Sequence, residues 1–132
     1  MQFPTVASAY AAVLSLVFIG PSAWVTVGRV RFGVHHGDGG NERLKRRIRA
    51  HANFAEYVPL ILLLVALLEA GGAGPMTVHA LLLPLVIARL MHPIGMTAPE
   101  ASLRQYAFCA TSVTATWLIL AIAALLLLRR LL

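Results

Sequence analysis

A bundle of four membrane-spanning helices is the fold this sequence predicts, and three observations predict it. Apolar residues make up 59% of the 132-residue chain, charged residues only 12%, and mean hydropathy is +0.80. Soluble domains carry about twice that share of charge. The apolar residues fall into four runs, each long enough to cross a hydrocarbon core of about 30 Å as a helix. The runs also lack the alternation of barrel strands, and in lipid only helices and closed barrels satisfy their own backbone. Helices over about residues 4–30, 42–70, 76–96 and 100–128 use nearly the whole chain. Residues 1–132 therefore read as a single domain with no extramembrane part.

The first helix lacks the positive start of a secretory signal, so it is expected to be retained. Pro21 predicts a kink there, with the freed carbonyl offered to Ser22, Thr26 or a neighbouring helix. Trp24 reads as an interface anchor.

The connection that follows is turn-rich, with Gly33, Gly37, Asp38, Gly39 and Gly40, and Asn41 is placed to cap the second helix. Arg29, Arg31, Arg43, Lys45, Arg46, Arg47 and Arg49 cluster around it, out of 11 Lys and Arg in the chain. The positive-inside rule puts this connection in the cytoplasm and both termini outside. So short a basic loop on a membrane chain suits topology and lipid headgroups, and no nucleic acid is expected as a partner. His35 and His36 have no further ligands at a recognisable spacing, so no metal is expected.

Within the second helix, Arg49, Asn53 and Glu56 sit at i, i+4 and i+7, in one stripe. At about 1.5 Å of rise per residue Glu56 lies roughly 10 Å deeper than Arg49, where a carboxylate needs a partner, water or a proton. Pro59 marks a deformable point three residues on. Glu69, near the far end, is expected to be a solvated surface residue, and Gly71, Gly72, Gly74 and Pro75 close a tight turn.

The third helix brings Arg89 and, one turn later, His92 toward the same end. Arg89 and Glu56 should lie at similar depth, so an ion pair between them is expected. His79, nearer the other end, reads as a hydrogen-bonded structural residue. The fourth helix opens with Glu100, Arg104, Gln105 and Tyr106, and the remainder reads as Ala, Leu, Ile and Thr suited to close packing. Cys109, the sole cysteine, is expected to be a small buried residue.

Glu56 and Glu100 cannot neutralise Arg49, Arg89 and Arg104 together. That surplus at a membrane boundary suggests an anionic guest. A guest with carboxylates and an ammonium group would use arginines for the former and Glu56 for the latter, with Asn53 serving an amide. A small proton-coupled drug exporter has a similar size, but such exporters carry their essential carboxylate in the first span, where this chain has no acidic residue.

The pattern Arg49-x-His51-x-Asn53-x-x-Glu56-x-x-Pro59, with Arg89-x-x-His92 and then Arg104, resembles the MAPEG family of membrane-associated proteins in eicosanoid and glutathione metabolism. With its Gly-Asp-Gly-Gly connection the chain is most similar to the bacterial branch. The resemblance implies a homotrimer in the bacterial inner membrane that binds glutathione between subunits on the cytoplasmic side. Carried over, Arg49, Asn53, Glu56 and His92 would bind the tripeptide, with Arg89, His51, Arg29 and Tyr106 in support. Arg104 would be the catalytic residue beside the sulfur. A thiol titrates near about 8.5, and a guanidinium beside it favours thiolate at neutral pH. The implied activity is transfer of glutathione to a lipophilic electrophile, or reduction of a lipid hydroperoxide. Ligand binding without turnover is the alternative, since Met96 and Phe108 stand where tyrosine hydroxyls would serve.

Overall fold

The structure, a computed structural model, describes residues 2–132, with the backbone alone at residue 131. Four long helices account for most of it: α1 (Thr5–Phe32), α2 (Glu42–Ala70), α3 (Pro75–Met96) and α4. The last opens with an α turn, Leu103–Gln105, passes through a π turn, Tyr106–Ala110, and continues as α helix over Thr111–Leu131. All four are long and apolar enough to cross a membrane. The protein is an all-α membrane protein, and no strand occurs among the described residues.

The ends of the helices follow from local chemistry. α1 stops at Gly33 in the left-handed conformation, its N–H bonded to the Val30 carbonyl. The Asn41 side chain accepts from Leu44 N at 3.0 Å and starts α2. Pro75 occupies the first position of α3, where its missing N–H is no loss. Ser102 accepts from Gln105 N at 3.1 Å to start α4.

α1 runs through Pro21 without a break, and Ser22 Oγ donates to the Phe18 carbonyl at 2.9 Å. Glu69 departs from the expectation of a solvated residue. Its two carboxylate oxygens accept from Val6 N and Ala7 N at 2.9 and 2.7 Å, so it caps α1 from the end of α2. The start of α1 offers unbonded N–H groups and a positive dipole end but carries no capping side chain of its own, and Glu69 answers both needs.

α2 and α3 form the middle of the bundle. Each packs against both other helices, whereas α1 and α4 do not meet. Phe54, Val58, Ile61, Val65 and Leu68 recur at three and four residues along α2 and meet Leu81, Leu82 and Leu85 of α3. α3 is the innermost helix: 44% of its most apolar stretch is buried, against 11% for α1. Leu60, Leu63 and Leu67 on the opposite face of α2 stay exposed, as a lipid-facing or subunit-facing surface would. α3 and α4 pack backbone to backbone at Gly95, where an added Cβ would lie 2.8 Å from the Cα of Cys109. Only glycine fits there.

Candidate functional site

A polar knot sits inside this apolar bundle, near the end that carries the long connection. Arg89 is 2% exposed. Its face of α3 also carries Leu82, Leu85 and His92, all buried, so the chain turns its guanidinium inward. Nη1 donates to Asn53 Oδ1 on α2 at 2.5 Å, and Nη2 donates to Thr116 Oγ1 on α4. Nε has no partner, and it is the only buried side-chain nitrogen or oxygen left so among the described residues. One turn further, His92 is 3% exposed and its Nδ1 lies 3.3 Å from Ser112 Oγ. The Ser112 hydroxyl donates to the carbonyls of Phe108 and Cys109, which makes Nδ1 of His92 the donor.

Glu56 takes no part in the knot. The expected ion pair with Arg89 is not formed, for a geometric reason. Glu56 lies between Phe54 and Val58, both buried, and on a helix it therefore points away from them and out of the bundle. Its depth matches Arg89 but its direction does not. Arg49, seven residues earlier, is exposed on the same outer stripe.

The other four acidic side chains each have a partner. Asp38 accepts from Gly40 N at 2.9 Å, Glu42 pairs with Lys45 at 3.2 Å, Glu69 caps α1, and Glu100 pairs with Arg46 at 2.6 Å. Of the five acidic side chains, Glu56 alone makes neither hydrogen bond nor ion pair among the described residues.

The residues singled out from sequence are thus divided. Asn53 and Arg89 are joined, and His92 is buried beside them. Arg49 and Glu56 share the outer stripe of α2, with Asn53 half-buried between the two groups. Arg104 and Tyr106 are exposed at the start of α4. Arg29 donates to the carbonyls of His35 and Gly37, at 3.3 and 2.8 Å, and so folds the connection back on α1. His51 stacks on Phe18, ring centres 4.7 Å apart. His79 accepts or donates at Nδ1 to the Tyr10 hydroxyl, 2.9 Å away, in the structural role expected of it.

Residues 7–124 match the sequence pattern of the MAPEG family. The chain belongs to the MAPEG family. It is also 32% identical over 112 residues, 85% of this chain and 82% of the relative, to "Inner membrane protein YecN" of Escherichia coli K12. The protein of the same name from Escherichia coli O6:H1 matches to the same extent.

Within this MAPEG chain, Ser112 and Thr116 are the hydrogen-bond partners of His92 and Arg89 that sequence reasoning passed over as packing residues. A signal was present. With Ile119 and Ala123 they recur at four, three and four residues, and that face is the buried one. Two hydroxyls on the inward stripe of a membrane helix need partners, and the inward polar groups of α3 are the nearest supply.

Proposed function

We propose that this MAPEG protein is a multi-pass inner-membrane protein that binds glutathione between subunits of a homotrimer, as a glutathione transferase. The observation that carries the reading is the outer stripe of α2. Glu56, the one acid without a partner among the described residues, and the exposed Arg49 lie on a face that would otherwise meet lipid. An unpaired charge in hydrocarbon costs several kcal/mol, about 3 by insertion scales. A neighbouring subunit and a polar ligand relieve that cost together.

Glutathione fits the donor set. Arg49 suits a carboxylate and Glu56 suits the ammonium group, about 10 Å apart along the helix. Asn53 has its oxygen committed to Arg89, which leaves its NH2 to donate to an amide carbonyl. Arg89 then acts as a positioning residue for Asn53, and His92 stands behind it. Arg104, exposed at the start of α4, is the cation available to the thiolate, which attacks a lipophilic electrophile entering from the bilayer or a lipid hydroperoxide. Stabilising that anion in a water-poor site, with the reactants held together, supplies the rate. The basic connection supports a site on the cytoplasmic side with the termini outside, by the positive-inside rule.

Titration calorimetry of the purified protein tests this. Arg49→Ala and Glu56→Ala should each weaken glutathione binding at least tenfold, about 1.4 kcal/mol. Equal affinity in all three proteins would remove the assignment. Arg104→Ala should slow conjugation of a chlorinated nitroaromatic while keeping glutathione affinity, and thiolate absorbance reads its role directly. Binding without turnover is the second reading. It is favoured by Met96, whose sulfur contacts Cys109 Sγ at 3.6 Å where a tyrosine hydroxyl would serve.

A further inference from the structure

Between α1, α3 and the start of α2, three neighbouring hollows share Trp24 in their walls. The first, about 440 Å³, opens at the loop end beside Arg43, Arg46, Arg47 and the Lys45-paired Glu42. The second, about 260 Å³, passes Pro93, Ile94 and Thr97 and is bordered by Arg104, the cation assigned above to the thiolate. The third, also about 260 Å³, is a nearly wholly apolar slot walled by Val17, Gly20, Pro21, Phe54 and Leu90. Arg89 borders this slot, but both its Nη atoms are turned to Asn53 and Thr116.

Charge at the mouth is in surplus. Lys45 takes Glu42 and Arg46 takes Glu100, which leaves Arg43 and Arg47 without an acid among the described residues. Arg47 is held rigid, its guanidinium 5.0 Å from the Trp24 ring centre and Nη1 donating to the Trp24 carbonyl at 3.0 Å. The Arg43 side chain makes no hydrogen bond or ion pair among the described residues. Two uncompensated guanidinium groups thus sit at headgroup level above an apolar track that descends into the hydrocarbon. Basic pockets of this kind between membrane helices suit phosphate headgroups.

We propose that the α1–α3 groove binds an anionic phospholipid, its phosphate on Arg43 and Arg47 and one acyl chain along Trp24 and Pro93 into the slot beside Gly20. The site is separate from the outer stripe of α2. Around the helix, Arg43 and Arg47 point at least roughly 120° away from Arg49 and Glu56. A bilayer supplies both halves of the ligand in one molecule, whereas free phosphate would leave the apolar track unused.

Native mass spectrometry of the full-length protein tests the assignment, with phosphatidylglycerol and phosphatidylcholine of identical acyl chains offered together. Phosphatidylglycerol should be retained in preference. Each of Arg43→Gln and Arg47→Gln should cut that preference about fivefold. Arg43 has no partner to lose, so its substitution does not endanger folding. Gly20→Leu should lower retention of both lipids, because no atom lies within 4 Å of an added Cβ and the new side chain fills the slot. Glutathione binding should be unchanged in all three variants. Equal retention of the two lipids, or a preference unmoved by Arg43→Gln and Arg47→Gln, overturns the proposal. So does displacement of the lipid by millimolar inorganic phosphate, which would mark a free-anion site. Failure of Gly20→Leu to alter retention, or a wild-type groove that takes neither lipid because a second copy covers it, also overturns it.

Discussion

The knot around Arg89 and the outer stripe of α2 lie at similar depth in the same bundle, yet the chain answers one and leaves the other open. Arg89 meets Asn53 and Thr116, and His92 meets Ser112, so three helices are tied together by groups that would each be costly alone. Arg49 and Glu56 make no side-chain hydrogen bond or ion pair among the described residues. A polar group in a membrane helix therefore has two fates. Turned inward, it binds neighbouring helices; turned outward, it awaits a partner the chain does not contain. The same residue types serve both, and direction around the helix separates them.

The sharpest way to break this comparison is to remove the centre of the knot. Arg89→Ala would leave Asn53 and Thr116 unanswered around a cavity and should destabilise the fold by about 3 kcal/mol. Unfolding in mixed detergent micelles reads this, and a change below about 0.5 kcal/mol would mean the knot is ornamental. Next in size is Gly95→Ala, which forces α3 from the backbone of Cys109 and should cost about 2 kcal/mol in the same assay. Glu69→Ala uncaps α1 and should cost about 1 kcal/mol. Its effect should appear as faster amide exchange at Val6 and Ala7. Thr116→Val removes one hydrogen bond of the knot, and membrane precedents put that near about 0.6 kcal/mol. Smallest of all should be Glu56→Gln on the folding of the isolated subunit, within about 0.5 kcal/mol. A large loss there would show that Glu56 is tied into its own subunit and would dissolve the contrast.

Much of the fold was legible because apolar content sets the solvent and the solvent sets the helix. Asn41, Gly33 and Pro75 mark ends of α2, α1 and α3 through local capping chemistry, which needs no distant residue. The polar site was legible as a depth but not as a set of contacts. Arg89 and Glu56 share a level, and opposite charge at one level suggested a pair. The pair failed because Phe54 and Val58 claim the inward face of α2 and leave Glu56 the outward one. Glu69 was misread for a related reason. Its partner is a helix end more than sixty residues away, and nothing near it in sequence announces that need.

By itself, the sequence determined that this chain lives in a membrane as four helices and that most of its cations gather around one connection. Those follow from transfer energies and helical rise, which are properties of short segments. The tertiary structure alone decided that Arg89 closes on Asn53 and Thr116 while Glu56 is left facing out. That choice depends on how four helices rotate to bury their bulkiest faces, and the rotation is set by contacts among all of them at once.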